Sequence, residues 1–170
     1  MRIVMNAIIR CVLLISILAV QGCAQRINMS TQLDLSERDH IAAIPVVVKR
    51  AGNYIVGLSV ISEPGLISWF GQMCILEGCP EKAGLTIPVR LIVTGESRPI
   101  HDGLIFSYGM DQIRFFMIDG ELKRAGTRRV KELWLEPGAY SIVLQTLEDV
   151  PDLENYKTYM SFYSSSKATK

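Results

Sequence analysis

From residue 44 onward the chain runs in short stretches whose apolar and polar positions alternate. The segment 44–49 (IPVVVK) is β-branched, Gly52-Asn53 follows as a turn, and 54–61 (YIVGLSVI) continues, so the two stretches together predict a hairpin. In the second stretch Ile55, Gly57, Ser59 and Ile61 share one face, and Tyr54, Val56, Leu58 and Val60 share the other. Further strands are predicted at 85–93, 104–108, 112–118 and 156–163, with a loop over 94–103. The strand at 112–118 runs into Asp119-Gly120, a strong signal for a two-residue hairpin turn. Between 62 and 78 the period changes. Leu66, Trp69, Phe70, Met73 and Leu76 recur at helical spacing, Pro64 suits the first turn and Gly78 suits the position just past the end, which predicts one short helix with its aromatic stripe in the core.

The stretch 133–146 (LWLEPGAYSIVLQT) predicts two strands joined by a tight corner. Pro137 fixes φ and Gly138 accepts a positive one, so the chain turns there; Tyr140, Ile142 and Leu144 then alternate with Ser141, Val143 and Gln145. The pattern Leu133-x-Leu135-x-Pro137-Gly138-x-Tyr140 resembles the tyrosine corner of immunoglobulin-like sandwiches, which implies a Tyr140 hydroxyl bonded back to the backbone upstream. About eight short strands make the expected fold mainly β: an antiparallel immunoglobulin-like β-sandwich over 43–164, ending in a polar tail at 165–170.

The first residues do not belong to that domain. Arg2 and Arg10 precede and open an apolar run at 11–20 that is too short to span a bilayer comfortably, so 1–22 reads as a signal peptide. Val20-Gln21-Gly22-Cys23 resembles a bacterial lipobox, which implies acylation of Cys23 and an N-terminus at that cysteine. Ala24 after it, rather than aspartate, implies transport to the outer membrane with the protein facing the periplasm. Residues 23–42 are polar at most positions and lack sustained alternation, so they are expected to form a tether. The layout of lipobox, tether and sandwich looks like uncharacterised proteobacterial lipoproteins with a β-sandwich domain of unknown function, a resemblance that implies no activity.

Charge narrows the partners. Without Arg2 and Arg10 there are sixteen basic against seventeen acidic residues, and this near-balance argues against nucleic acid. Two histidines, His40 and His101, without a cysteine pair beside them do not make a zinc site, and no metal or cofactor is expected. His101-Asp102 is read as a solvated turn. No GxSxG, HExxH, P-loop or GxGxxG occurs; Ser164 and Lys167 fit SxxK formally but stand at the polar tail, so no enzymatic activity is expected. Glu148, Asp149, Asp152 and Glu154 form an acidic loop interrupted by Pro151, unlike a calcium loop. This loop is the candidate partner-binding surface, and the basic group Lys123, Arg124, Arg128, Arg129 and Lys131 is its potential counterpart. Of four cysteines, Cys11 leaves with the signal and Cys23 carries lipid, so Cys74 and Cys79 are expected to pair in an oxidising compartment. Gly78 would end the helix between them and bring the two together in a Schellman-type return. The expected function is binding another envelope protein or supporting envelope assembly. The alternative is an immunity lipoprotein that neutralises a toxin delivered into the periplasm.

Overall fold

The computed structural model describes residues 26–61, 78–79, 82–96 and 98–165. Their strands in chain order are β1 Asn28–Gln32, β2 Ile41–Val48, β3 Gly52–Ile61, β4 Gly78–Cys79, β5 Lys82–Ala83, β6 Ile87–Gly95, β7 Pro99–Ser107, β8 Gln112–Ile118, β9 Glu121–Leu135, β10 Gly138–Thr146 and β11 Lys157–Ser164. A 3-10 turn, Pro151–Leu153, is the one helical piece among the described residues; the helix expected over 62–78 lies outside them but for Gly78, which pairs with Ala83 in the β4–β5 ladder. Two antiparallel sheets make a sandwich. One has the order β1-β11-β3-β9-β8 and the other β2-β10-β6-β7. The expectation of a mainly β, antiparallel sandwich holds.

The predicted β2–β3 hairpin does not form. β2 pairs with β10 and β3 lies between β11 and β9, so the chain between them crosses from one sheet to the other. The reason lies at Tyr54, whose hydroxyl donates to the Arg50 carbonyl at 2.8 Å. The hydroxyl of Tyr140 makes the same four-residue reach to the Glu136 carbonyl, also at 2.8 Å, as its sequence implied. Each tyrosine locks one crossing, and the crossings are neighbours, because Gly138 pairs with Val48 and Gly52 pairs with Leu135.

The tether reading also fails from residue 28 on. Asn28–Gln32 is an edge strand registered on β11, and Leu33 and Leu35 are buried. Thr158 clamps that turn: its hydroxyl donates to the Leu33 carbonyl at 2.6 Å and accepts the Leu35 amide at 3.1 Å. The strand's own residues, 28–32 (NMSTQ), carry a single apolar side chain, too little alternation to announce a strand. The loop expected over 94–103 is likewise shorter, and His101 and Asp102 stand inside β7.

Strand β3 is buried on both faces. Its Tyr54, Val56 and Leu58 join Leu91, Val93, Leu135, Ile142, Leu144 and Phe162 in the core between the sheets. Its Ile55 and Ile61 join Phe116, Ile118, Ala125, Tyr159 and Tyr163 in a second core on the other side. The five-stranded sheet coils until its edges meet, and the Asn28 Nδ2 donates to the Phe115 carbonyl across that seam at 2.9 Å. A β-bulge between Val56 and Gly57 helps the sheet bend. A side chain at position 57 would put its Cβ 2.9 Å from the Arg128 carbonyl oxygen and 2.9 Å from the Ser161 hydroxyl, so the sheet admits only glycine there.

Candidate functional site

The acidic loop after β10 does not stand alone. Leu153 and Val150 are buried in the core between the sheets and pin it from below. The Val150 amide donates to the Ser36 carbonyl at 2.8 Å, and the Asp149 carboxylate accepts the Arg38 amide at 2.9 Å. This joins the loop to residues 33–40, the turn between β1 and β2. That turn is itself tied down. The Thr146 hydroxyl donates to the Glu37 carbonyl at 2.8 Å and accepts the His40 amide at 2.9 Å. The Ser36 hydroxyl and amide donate to Asp34, which holds the Asp34 carboxyl below its ordinary range. Asp39 takes a positive φ of 63°, a conformation asparagine and aspartate tolerate better than other side chains.

The result is an acidic pole. Ser36, Glu37, Arg38, Asp39, Asp149, Pro151 and Glu154 line a shallow, open depression of about 560 Å³. Of the four residues the sequence nominated, Asp149 and Glu154 line it, while Glu148 and Asp152 stand exposed on the same loop. Glu37 and Asp39, which sequence reasoning assigned to a tether, complete it. Within the pole Arg38 pairs with Asp39 at 3.7 Å and His40 with Glu37 at 3.1 Å. Pre-ordered carboxylates on loops fixed from below can meet a basic partner without a large ordering cost.

The basic group has a different fate. Arg129 is gripped by Asp111 at 2.9 Å and by Glu132 at 3.1 Å, and Lys123 pairs with Glu121. Arg128 is buried, and its guanidinium donates to the carbonyls of Ser107 and Gly109 at 3.0 and 2.6 Å, fastening the β7–β8 crossing. Burial lowers its pKa to about 10. Phe106, Tyr108 and Val130 flank the Asp111–Arg129 pair in a second shallow groove of about 470 Å³, which sequence reasoning did not single out.

Asp102 faces outward and forms a two-pronged ion pair with Arg90, both contacts at 2.9 Å, whereas the adjacent His101 lies on the opposite side of the strand. Ser164 closes the β1–β11 ladder, its hydroxyl accepting the Ile27 amide at 3.1 Å. Lys167, Cys23 and Cys74 lie outside the described residues, so the SxxK lysine, the lipidation site and the bridge to Cys79 are not placed by the structure. Among the described residues no cluster of three or more histidine, cysteine, aspartate or glutamate side chains is arranged to hold a metal, and no helix is long and apolar enough to cross a membrane.

Among the described residues these observations define an antiparallel β-sandwich with a shallow acidic depression formed by its loops. Residues 31–164 match a domain of unknown function (DUF5625), and the chain belongs to that family. Among solved structures, a crystal structure of a protein from Sulfurospirillum deleyianum superposes with a TM-score of 0.64 at 13% identity, over 83% of this chain and 99% of that one, a likeness of fold. No curated protein matches the sequence.

Proposed function

We propose that the chain is a lipid-anchored β-sandwich, held at the outer membrane through acyl chains on Cys23, that faces the periplasm and binds another envelope protein without catalysing a reaction. The convergence of Glu37, Asp39, Asp149 and Glu154 on one braced surface supports a charge-guided contact with a basic partner. The lipobox at 20–23 supports the location, and the oxidising compartment it implies supports a Cys74–Cys79 disulfide.

The test is crosslinking and capture of the full lipidated protein from intact envelopes, wild type against a Glu148→Lys, Asp152→Lys, Glu154→Lys variant. Asp149 is kept because its carboxylate braces Arg38. Capture of a specific envelope protein should fall at least about tenfold at an unchanged denaturation midpoint; surface charges set specificity and on-rate, not fold. Undiminished capture removes the acidic pole from the contact. Recovery of a delivered toxin in place of an envelope component would select the immunity alternative.

A further inference from the structure

The folding of β1 onto β11 leaves almost no chain between the domain and its anchor. Ile27 is held on both sides, its amide by the Ser164 hydroxyl and its carbonyl by the Ser164 amide at 3.0 Å. Cys23 is four residues earlier, so fully extended chain reaches at most about 14 Å. A lipid on Cys23 therefore holds the body of the domain at the bilayer surface rather than lifting it clear.

One apolar surface lies where that constraint acts. The β8–β9 hairpin turns Phe116, Ile118 and Ala125 into the second core, and its other face is apolar as well. On that face Met117 and Leu122 are cross-strand partners, each 65% exposed, with Phe115 at 53% and Ile113 at 40%. This face adjoins the start of β1, because Asn28 bonds the Phe115 carbonyl. Met29, 38% exposed, follows on β1. Arg124, the cross-strand partner of Phe115, lies on the same face and is exposed, and a cation among exposed apolar side chains suits the headgroup region of a membrane.

We infer that the outer face of the β8–β9 hairpin, Ile113, Phe115, Met117 and Leu122, is a membrane-docking surface that lies against the phospholipid headgroups beside the Cys23 anchor. This rests on the anchor reading proposed above. The acidic pole stands at the other end of β1, beyond Leu33, so docking there leaves the carboxylates accessible to a partner.

The experiment places the photo-crosslinking residue p-benzoylphenylalanine at Met117 in the full chain, in cells, and compares it with the same residue at Ile41. Ile41 is equally exposed, at 64%, but lies on the other sheet beside the acidic pole. The mass of the N-terminal peptide is measured in the same samples. Phospholipid adducts at least tenfold more abundant at Met117 than at Ile41 support the proposal. With Cys23 acylated, equal or absent lipid adducts, or a Met117 adduct to a protein or to a second copy, overturn it and leave the anchor standing. An unmodified Cys23 overturns the anchor reading and the proposal with it.

Discussion

The core between the sheets is largely aliphatic, with Val89, Leu91, Val93, Ile142 and Leu144 at its centre, whereas the core inside the coiled sheet mixes rings with hydroxyls. There Ser59 meets Ser161 at 3.0 Å and Thr127 at 3.3 Å, Gln112 donates to the Tyr163 hydroxyl at 3.0 Å, and the Arg114 guanidinium sits 3.9 Å over the Tyr163 ring. Each core presents one surface. The aliphatic core holds Val150 and Leu153 and with them the acidic pole; the mixed core holds Phe116 and Ile118 and with them the apolar hairpin. β3 is their shared wall. A sheet with two buried faces can therefore serve two surfaces whose failures are separable.

That separation can be broken by truncating one anchor at a time. Phe116→Ala should cost about 3–5 kcal/mol and make the 117–123 hairpin the first site of proteolysis, with capture through the acidic pole intact in the remaining folded protein. Leu153→Ala should cost about 2–5 kcal/mol, toward the lower end because a loop can collapse into the space, and should expose 148–155 to proteolysis instead. Denaturation curves and limited proteolysis check both; the same first cleavage site in the two variants would merge the cores into one unit.

A smaller effect sharpens the comparison at the crossings. Tyr54→Phe and Tyr140→Phe should each cost about 0.5–1.5 kcal/mol. The Tyr54 change should cost the more of the two, because its hydroxyl is lost from a buried residue, whereas Tyr140 is only half-buried and its bond is exposed. Unchanged midpoints in both variants would reduce the corners to local turns.

The smallest expected effect is a pH slope. Burial, then Lys131, holds the His101 pKa below 6.5, with Asp102 opposing. The folded state thus disfavours the imidazolium, so the contribution to stability is whole above pH 6.5 and fades as the pH falls below it. His101→Gln should flatten that part of the stability profile, measured by urea denaturation at several pH values.

Much of this architecture was legible in the sequence. Alternation located most of the long strands, Asp119-Gly120 marked its hairpin with both residues at positive φ, and the Tyr140 corner was read from its residues. The second corner carried the same signal, since Arg50-Ala51-Gly52-Asn53-Tyr54 matches Glu136-Pro137-Gly138-Ala139-Tyr140 in the spacing of glycine and tyrosine. It was hidden because a turn between two apolar runs also looks like a hairpin. Periodicity could not show that β3 buries both faces, because that depends on the coiling of a whole sheet. Nor could it show that Glu37 and Asp39 join Asp149 and Glu154, because the Arg38–Asp149 bond that unites them spans the length of the domain.

If Cys23 carries the proposed lipid, its short reach to Ile27 decides which surface meets the membrane. Intact-mass and peptide mass spectrometry of the protein purified from envelopes tests the anchor directly. The prediction is a mature chain that begins at Cys23, lacks 1–22 and carries acyl chains on that residue. A chain with a free Cys23 thiol, or one that begins elsewhere, would contradict it.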